Sequence, residues 1–440
     1  MDLKPLKENF GRVLLIGISV LIWLLVLVLL RTIGYHATWG LWRVPSWQPY
    51  FLDFRLIPGS AESFAHGYEP SVENPYDPTE RIFNYPAFWR LFFYTGITQE
   101  DTAWIGISMI VLFFIGAFHF PQRLSISGAI GMLVVLFSPA SMLLYERGNV
   151  DLIIFFLCTM TLLAAGISVS LAAFLILSGG IMKLFPILGL AVFLKESKHK
   201  FLWVSAICVL VLLAYMLLTW DSVRASWTLT MRGDALSYGT NILITRYEPA
   251  ISQILSAWFP ASLTEYLMNY GLLVAALVLL LLVFILAIWG GANPEVLGGR
   301  NLAAFRMGAS IYVGTFLLGH NWDYRLAFLV LATPQLVEWM GSANKMERRV
   351  AWLSMLMVLL SCWHLWLAEI PLVSIFNSVA DSKKFWIILD EIFNWMLLAS
   401  LAYLLFASVP KWLKEPIRGF LRKGSSQPEQ DHEQTGLPIS

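Results

Sequence analysis

The sequence predicts an all-α polytopic membrane protein. Of its 440 residues, 58% are hydrophobic and only 13% are charged, and the mean hydropathy is +0.68. Soluble globular domains are much more polar than this. The apolar residues also form runs of about 20, the length that lets a helix cross a hydrocarbon core of ~30 Å. With 30 Lys and Arg against 29 Asp and Glu, the overall charge gives no reason to expect a nucleic-acid partner.

Hydropathy predicts ten membrane spans, near residues 13–30, 102–120, 126–144, 150–166, 201–219, 266–289, 302–319, 324–340, 351–369 and 385–409. The first span follows Lys4, Lys7 and Arg12 and has no evident small-residue cleavage site before Gly34. Its apolar run is also longer than a typical signal-peptide core. We therefore expect a retained first helix.

The segment 168–194 allows two interpretations. A re-entrant pair of short helices, broken around Gly179-Gly180 and Lys183, returns the basic residues at 195–200 to the side of the basic N-terminus, as the positive-inside rule requires. Broken backbone at membrane depth must line a cavity or lie buried in protein. The alternative is one long tilted helix. The re-entrant interpretation makes both termini cytoplasmic and the loops 31–101 and 220–265 extracytoplasmic.

The domain organisation follows from the same pattern. Residues 1–410 form one integral membrane domain, and 411–440 form a basic cytoplasmic tail without hydrophobic periodicity, which we expect to be partly disordered and mobile beyond Lys423. Loops as long as 31–101 and 220–265 are usually functional. Within them, residues 87–94 and 251–259 have the spacing of short interfacial helices.

A first candidate site residue is Asp53, which stands among aromatic and aliphatic residues after the first span. Apolar surroundings raise a carboxyl pKa toward the range that suits a general base. The alternative is that Asp53 caps a short helix beginning at Phe54.

A second candidate is the hexapeptide Glu146-Arg147-Gly148-Asn149-Val150-Asp151, which separates the apolar runs 126–144 and 152–165. Charges at the edge of a bilayer are costly unless they pair or meet a polar ligand. Arg147 has the planar fork that suits a phosphate, and Glu146 could orient or neutralise it. The alternative is a tight turn with a surface ion pair, followed by Asp151 as an acid favoured by the helix dipole.

A third candidate is the short connection from Gly319 to Arg325. His320 or Arg325 could contact a phosphate or its leaving oxygen, whereas an Asp323–Arg325 pair closing a helix hairpin is the alternative. The chain has no phosphate-binding loop, dinucleotide fingerprint or metal-binding motif, so no metal and no cofactor are expected. The scattered cysteines and histidines add no such site.

Together these pieces resemble the GT-C membrane glycosyltransferases, and within them glycosyltransferase family 87, the polyprenol-phosphate-mannose-dependent mannosyltransferases. The resemblance rests on Asp53-Phe54, Gly67-Tyr68-Glu69-Pro70, Asn84-Tyr85-Pro86, the hexapeptide 146–151 and Met182-Lys183-Leu184-Phe185-Pro186, in this order over about residues 10–200. It implies a GT-C-like bundle of about 10–12 membrane helices. It also implies Asp53 as general base and Arg147, Lys183 and His320 as phosphate-side residues. We add Glu146, Asn149 and Arg325 as candidate substrate-binding residues.

The function expected from this resemblance is inverting transfer of a hexose such as mannose. The donor would be a polyprenyl-phosphate sugar and the acceptor a lipid or glycan outside the cytoplasm, with membrane lipids around the protein and a bacterial inner membrane as its location. The alternative is a transporter of lipids or lipid-linked glycans, or an assembly scaffold, in which the same charges line a pathway without bond formation.

Overall fold

The structure is a computed structural model that describes residues 4–230, 236–289, 299–371 and 378–423. It is almost entirely helical. The α-helices are α1 (Lys4–Thr32), α2 (Tyr35–Gly40), α3 (Leu52–Ala65), α4 (Thr102–His119), α5 (Ile126–Leu136), α6 (Pro139–Arg147), α7 (Asp151–Ala164), α8 (Val169–Lys183), α9 (Lys198–Leu218), α10 (Trp220–Thr228), α11 (Ile242–Trp258), α12 (Ala261–Trp289), α13 (Arg300–Leu317), α14 (Thr333–Met340), α15 (Lys345–Cys362), α16 (His364–Leu367), α17 (Val379–Ala407) and α18 (Lys411–Lys423).

Four 3-10 helices and one strand pair complete the described elements. The 3-10 helices cover Ala87–Tyr94, Gln99–Asp101, Phe185–Lys195 and Asp323–Leu331. Strands β1 (Ser237–Tyr238) and β2 (Asn321–Trp322) pair antiparallel, with Ser237 opposite Trp322 and Tyr238 opposite Asn321. This pairing ties the second long loop to the connection between α13 and the following 3-10 helix.

The chain is an all-α integral membrane protein. Within the described residues, five helices are long and apolar enough to cross a membrane, and a sixth span results if one bent pair is counted. The five are Phe10–Thr32, Gln99–His119, Lys198–Leu218, Ala261–Trp289 and Lys384–Ala407. They coincide with the predicted spans near 13–30, 102–120, 201–219, 266–289 and 385–409.

The other predicted spans have a more broken form. Residues 126–144 belong to α5 and α6, which meet at 54° because Ser138 caps a new helix that begins at Pro139. The prediction of one span near 324–340 is wrong in form, since a 3-10 helix is followed there by α14. Helices α7, α13 and α15 with α16 cover the predicted spans near 150–166, 302–319 and 351–369, but none of these helices is among the five that are long and apolar enough to cross a membrane.

The segment 168–194 is broken directly after Lys183, one of the two predicted places, and not at the predicted glycines. Gly179 and Gly180 are helical, and the break is at Leu184, whose φ is 52°. Pro186 has no N–H to donate to the carbonyl of Met182, and the indole of Trp89 donates to that carbonyl instead, at 2.9 Å.

The two halves of this segment also fold back on each other. A Cβ at Gly189 would lie 3.4 Å from the Ile176 side chain, whereas one continuous helix would separate these positions by ~20 Å. The single long helix is therefore wrong. Lys183 lies at the end of the first half.

An aromatic core fixes the loops that carry the candidate residues. The Phe113 ring lies 4.2 Å from the Phe155 ring, and Phe328 contacts Phe155 at 5.6 Å and Phe185 at 5.3 Å. These rings come from α4, α7 and the 3-10 helices beginning at 185 and 323. Since their elements start at or near residues 151, 185 and 323, the core brings those three chain segments together.

The two long loops contact each other and contain more helix than predicted. The side chain of Ser222 donates to the carbonyl of Tyr85 at 3.1 Å. The short helix predicted over 87–94 is present as the 3-10 helix Ala87–Tyr94, whereas the one predicted over 251–259 is the second half of the longer α11.

The tail differs from its prediction. Residues Lys411–Lys423 form α18, and its apolar side chains recur at helical spacing, so the expected lack of hydrophobic periodicity is wrong there. The mobility predicted beyond Lys423 concerns residues outside the described part of the chain.

Candidate functional site

Asp53 lies in the first turn of α3 and is partly open to solvent. The helix begins at Leu52 with Phe51 as its N-cap, so the interpretation of Asp53 as a cap before Phe54 is wrong. Its Oδ2 accepts a hydrogen bond from Asn149 at 2.7 Å, and its side chain is 22% exposed. The nearest cation to Oδ1 among the described contacts is Arg81, at 3.9 Å. One carboxylate oxygen is therefore held by a hydrogen bond, and the side chain as a whole remains partly exposed.

Asn149 connects Asp53 to the cations. Its Nδ2 donates to Asp53 and, at 3.2 Å, to the Tyr324 hydroxyl, while its Oδ1 accepts from Lys183 at 2.6 Å and from the Asp151 amide at 3.1 Å. An ammonium only donates and a carboxylate only accepts, so the amide oxygen of Asn149 must face Lys183 and its NH₂ group must face Asp53. A single side chain thus sets the positions of the acid and of the lysine.

Glycine at position 148 makes this placement possible. Gly148 ends α6 in the left-handed conformation, with φ 56°, and a Cβ there would approach Phe51 to 2.8 Å. Only glycine adopts this conformation without steric cost. The reversal turns Asn149 toward α3 and lets α7 begin at Asp151.

Asp151 is shared by two cations. Its side chain is fully buried, with Lys183 Nζ at 2.7 Å from Oδ1 and Arg325 Nε at 3.3 Å from Oδ2. Arg325 also donates to the side chain of Asn321 and stacks over the Phe185 ring at 4.9 Å. Two cations therefore share one buried carboxylate, and Asp53, held by the same Asn149 that contacts Lys183, is the second acid of this network. The sequence interpretation of Asp151 as a first-turn acid holds, but it missed these two partners.

Lys183 is also enclosed by aromatic rings. Its Nζ lies 5.7 Å from the centre of the Tyr85 ring and 5.8 Å from that of Tyr324. Ring faces attract a cation at such distances. Burial, together with the charges of Asp53 and Asp151, raises the pKa of Tyr85 well above its ordinary value, so this hydroxyl stays protonated.

Glu146 and Arg147 form a neighbouring buried group. The Glu146 carboxylate accepts from the Tyr35 hydroxyl and the Trp47 amide, both at 2.9 Å, and lies 3.3 Å from Arg147. Arg147 in turn lies over the Trp47 ring at 5.6 Å. Because Glu146 is 1% exposed, the alternative of a surface ion pair is wrong. The pair fixes the N-terminal part of the first long loop against α6.

Arg81 was missed by the sequence argument. It makes a two-point contact with Asp77, at 2.8 and 3.1 Å, and donates to the carbonyl of Leu52 at 2.6 Å. Burial acts to lower the pKa of Arg81, but the Asp77 hydrogen bonds and the charges of Asp77 and Asp53 outweigh burial and raise it. Arg81 therefore places a permanent cation beside Asp53 and anchors the start of α3. Its 28-residue separation from Asp53 left no local signal.

The connection 319–325 is arranged differently from the prediction. Asp323 does not pair with Arg325 but faces His364 at 3.3 Å, and His364 lies 3.9 Å from Asp390. The hairpin-closing pair is therefore wrong, because side chains two positions apart on this 3-10 helix point in different directions, Arg325 toward Asp151 and Asp323 toward His364. His320 is half-buried in the turn before β2, and its contact with a phosphate remains a prediction.

The network contains two carboxylates, an amide bridge and two largely buried cations. Among the described residues, no group of three or more His, Cys, Asp or Glu side chains could hold a metal ion. Chemically, the arrangement can accept a proton at Asp53 and stabilise an anion near Lys183 and Arg325.

No family model, no curated protein and no solved structure matched the chain in three comparisons.

Proposed function

We propose that the chain is an inverting glycosyltransferase of the GT-C type, transferring a hexose such as mannose from a polyprenyl-phosphate donor to a lipid or glycan acceptor. The observation that carries this proposal is the Asn149 bridge. It joins a partly exposed carboxylate, Asp53, to Lys183, which shares Asp151 with Arg325. Transfer from a sugar phosphate needs both a base for the acceptor and positive charge for the departing phosphate.

In the proposed reaction, Asp53 removes the proton from an acceptor hydroxyl as its oxygen attacks the anomeric carbon. The bond from that carbon to the phosphate oxygen breaks, and the electron pair leaves with the polyprenyl phosphate. Lys183 and Arg325, which share Asp151 as an ion-pair partner, stabilise the added negative charge. Attack opposite the leaving group inverts the anomeric centre.

The other predicted residues take secondary places in this proposal. Asn149 orients both Asp53 and Lys183. Arg147, held by Glu146 and Trp47, supplies a further cation at the end of α6, and His320 remains a phosphate-side candidate. The proposal also includes a GT-C-like helix bundle with both termini cytoplasmic, long loops and site extracytoplasmic, and a bacterial inner membrane as location.

A transfer assay tests the proposal. Purified protein in lipid is given radiolabelled polyprenyl-phosphate mannose and a membrane-lipid extract, with Asp53→Asn in parallel. Label in a new product with the native chain, and none with the variant, supports transfer with Asp53 as base. Movement of the labelled lipid across vesicles without a new bond favours the transporter, and a folded protein that does neither favours the scaffold.

A further inference from the structure

The C-terminal helix α18 has two faces of different character. Trp412, Leu413 and Ile417 recur at the spacing of one helix face, while Lys411, Lys414 and Arg418 lie on the other. A short helix with one apolar face and one basic face is typical of segments that lie in the plane of a membrane surface. The candidate site does not use this helix.

Contacts at both ends of α18 fix its level relative to the membrane spans. The Trp412 indole donates to the carbonyl of Glu196 at 3.2 Å, and its ring lies 5.6 Å from Phe201, in the first turn of the span that begins at Lys198. Six residues later, Arg418 Nε donates to the carbonyl of Ile288 at 2.8 Å, and that span ends at Trp289. The helix therefore crosses the ends of two spans, where hydrocarbon gives way to headgroups.

Positive charge from a second element gathers at the same place. Lys198 and Lys200 are exposed in the first turn of α9, and Lys195 is exposed just before it. Because Trp412 packs on Phe201 and on the Glu196 backbone, these lysines adjoin α18. We call the exposed cations of this region the basic platform: Lys198, Lys200 and Lys411. Lys195 is paired with Glu196 at 3.9 Å, and Lys414 is only 3% exposed. One exposed acid, Glu415, accompanies the three exposed cations, so the platform carries a positive excess.

We propose that the basic platform binds the anionic headgroups of phospholipids in the adjacent leaflet. A lipid phosphate supplies oxygen acceptors and negative charge at the level where α18 lies. Each Lys or Arg near an anionic bilayer surface contributes about 1 kcal/mol, which corresponds to about a fivefold change in affinity. The apolar face of α18, anchored by Trp412, keeps the platform at that level. This inference does not depend on the proposed transferase activity.

Lipid binding to the purified full-length protein tests the proposal. Native mass spectrometry follows the titration of phosphatidylglycerol and, separately, of phosphatidylcholine. The variant Lys198→Gln/Lys200→Gln/Lys411→Gln removes three platform charges. The matched control Lys345→Gln/Arg348→Gln/Arg349→Gln removes three exposed charges at the start of α15 instead.

The platform predicts tighter binding of phosphatidylglycerol than of phosphatidylcholine by the native chain. It also predicts a loss of affinity between fivefold and about 100-fold in the platform variant, with a smaller change in the control. Equal binding of the two lipids, or equal losses in the two variants, would overturn the proposal. Complete displacement by millimolar inorganic phosphate would overturn it as well, since it would identify a free-phosphate site.

Discussion

The substitution Asn149→Asp perturbs the bridge with almost no change in volume. The variant keeps Oδ1, which accepts from Lys183. It replaces Nδ2, which donates to Asp53, with a second carboxylate oxygen at 2.7 Å from Asp53 Oδ2. Two unit charges at this separation repel by about 6 kcal/mol at an effective dielectric constant of 20 and by about 1.5 kcal/mol at 80. The two acids then share a proton, as coupled carboxylates do.

This repulsion has a measurable consequence for the proposed base. At 1.36 kcal/mol per pH unit, the acid limb of the pH–rate profile is expected to move upward by about 1 to 4 units in Asn149→Asp. Transfer at neutral pH falls accordingly and recovers as the pH rises. Initial transfer rates from about pH 5 to about pH 9 measure the shift.

The control is Asn84→Asp, an equivalent change in the first long loop, at a residue whose side chain donates to the Leu229 carbonyl. It is expected to leave the profile in place. An Asn149→Asp protein that is folded, active and unshifted in its acid limb would refute the assignment of Asn149 as the residue that positions Asp53.

Three further predictions concern stability, measured as resistance to thermal or chemical unfolding in detergent. Lys183→Met removes one of the two cations that pair with buried Asp151, and it should lower the free energy of unfolding by about 3–5 kcal/mol. Adding Asp151→Asn should restore part of this loss. A double variant less stable than Lys183→Met would contradict the sharing of Asp151 by two cations. Gly148→Ala, at φ 56° and 2.8 Å from Phe51, costs at least about 1 kcal/mol, and unchanged stability would show that the turn tolerates a side chain. Burial raises the pKa of Asp323, so the folded state holds the Asp323 proton more tightly than the unfolded state does. The free energy of unfolding therefore falls as the pH rises above the ordinary pKa of an aspartic acid. Asp323→Asn should make the free energy of unfolding depend less on pH, and an unaltered pH dependence would exclude Asp323 as its source.

The sequence predicted the parts of the fold that hydropathy controls. Long, uniformly apolar runs such as 13–30 and 266–289 became continuous helices because nothing in them interrupts the backbone hydrogen bonds. Prediction failed where one residue redirects the chain. Leu184 and Pro186 set the break in 168–194 just after Lys183 and not at Gly179-Gly180, and Ser138 with Pro139 started a new helix within an apolar run.

The candidate site was predicted in its members but not in its pairing. Asp53, Asn149 and Lys183 were each identified, but their hydrogen bonds join residues 96 and 34 positions apart, which no local pattern reveals. For Asp323 and Arg325 the opposite error occurred. Their closeness in sequence predicted an ion pair, but on the 3-10 helix the two side chains contact different partners. No local sequence pattern indicated a role for Arg81, because its contacts with Leu52 and Asp53 arise only when the first long loop folds back on the start of α3.

The central claim is that Asp53 accepts a proton during sugar transfer, and the most direct measurement compares transfer by the native chain and by Asp53→Asn in the same lipid. Asparagine keeps the shape and can still contact Asn149, but it is not a base. The account predicts a folded variant with no transfer above background, beside a native chain that labels a new product. A folded Asp53→Asn protein that transfers sugar at the native rate would contradict it.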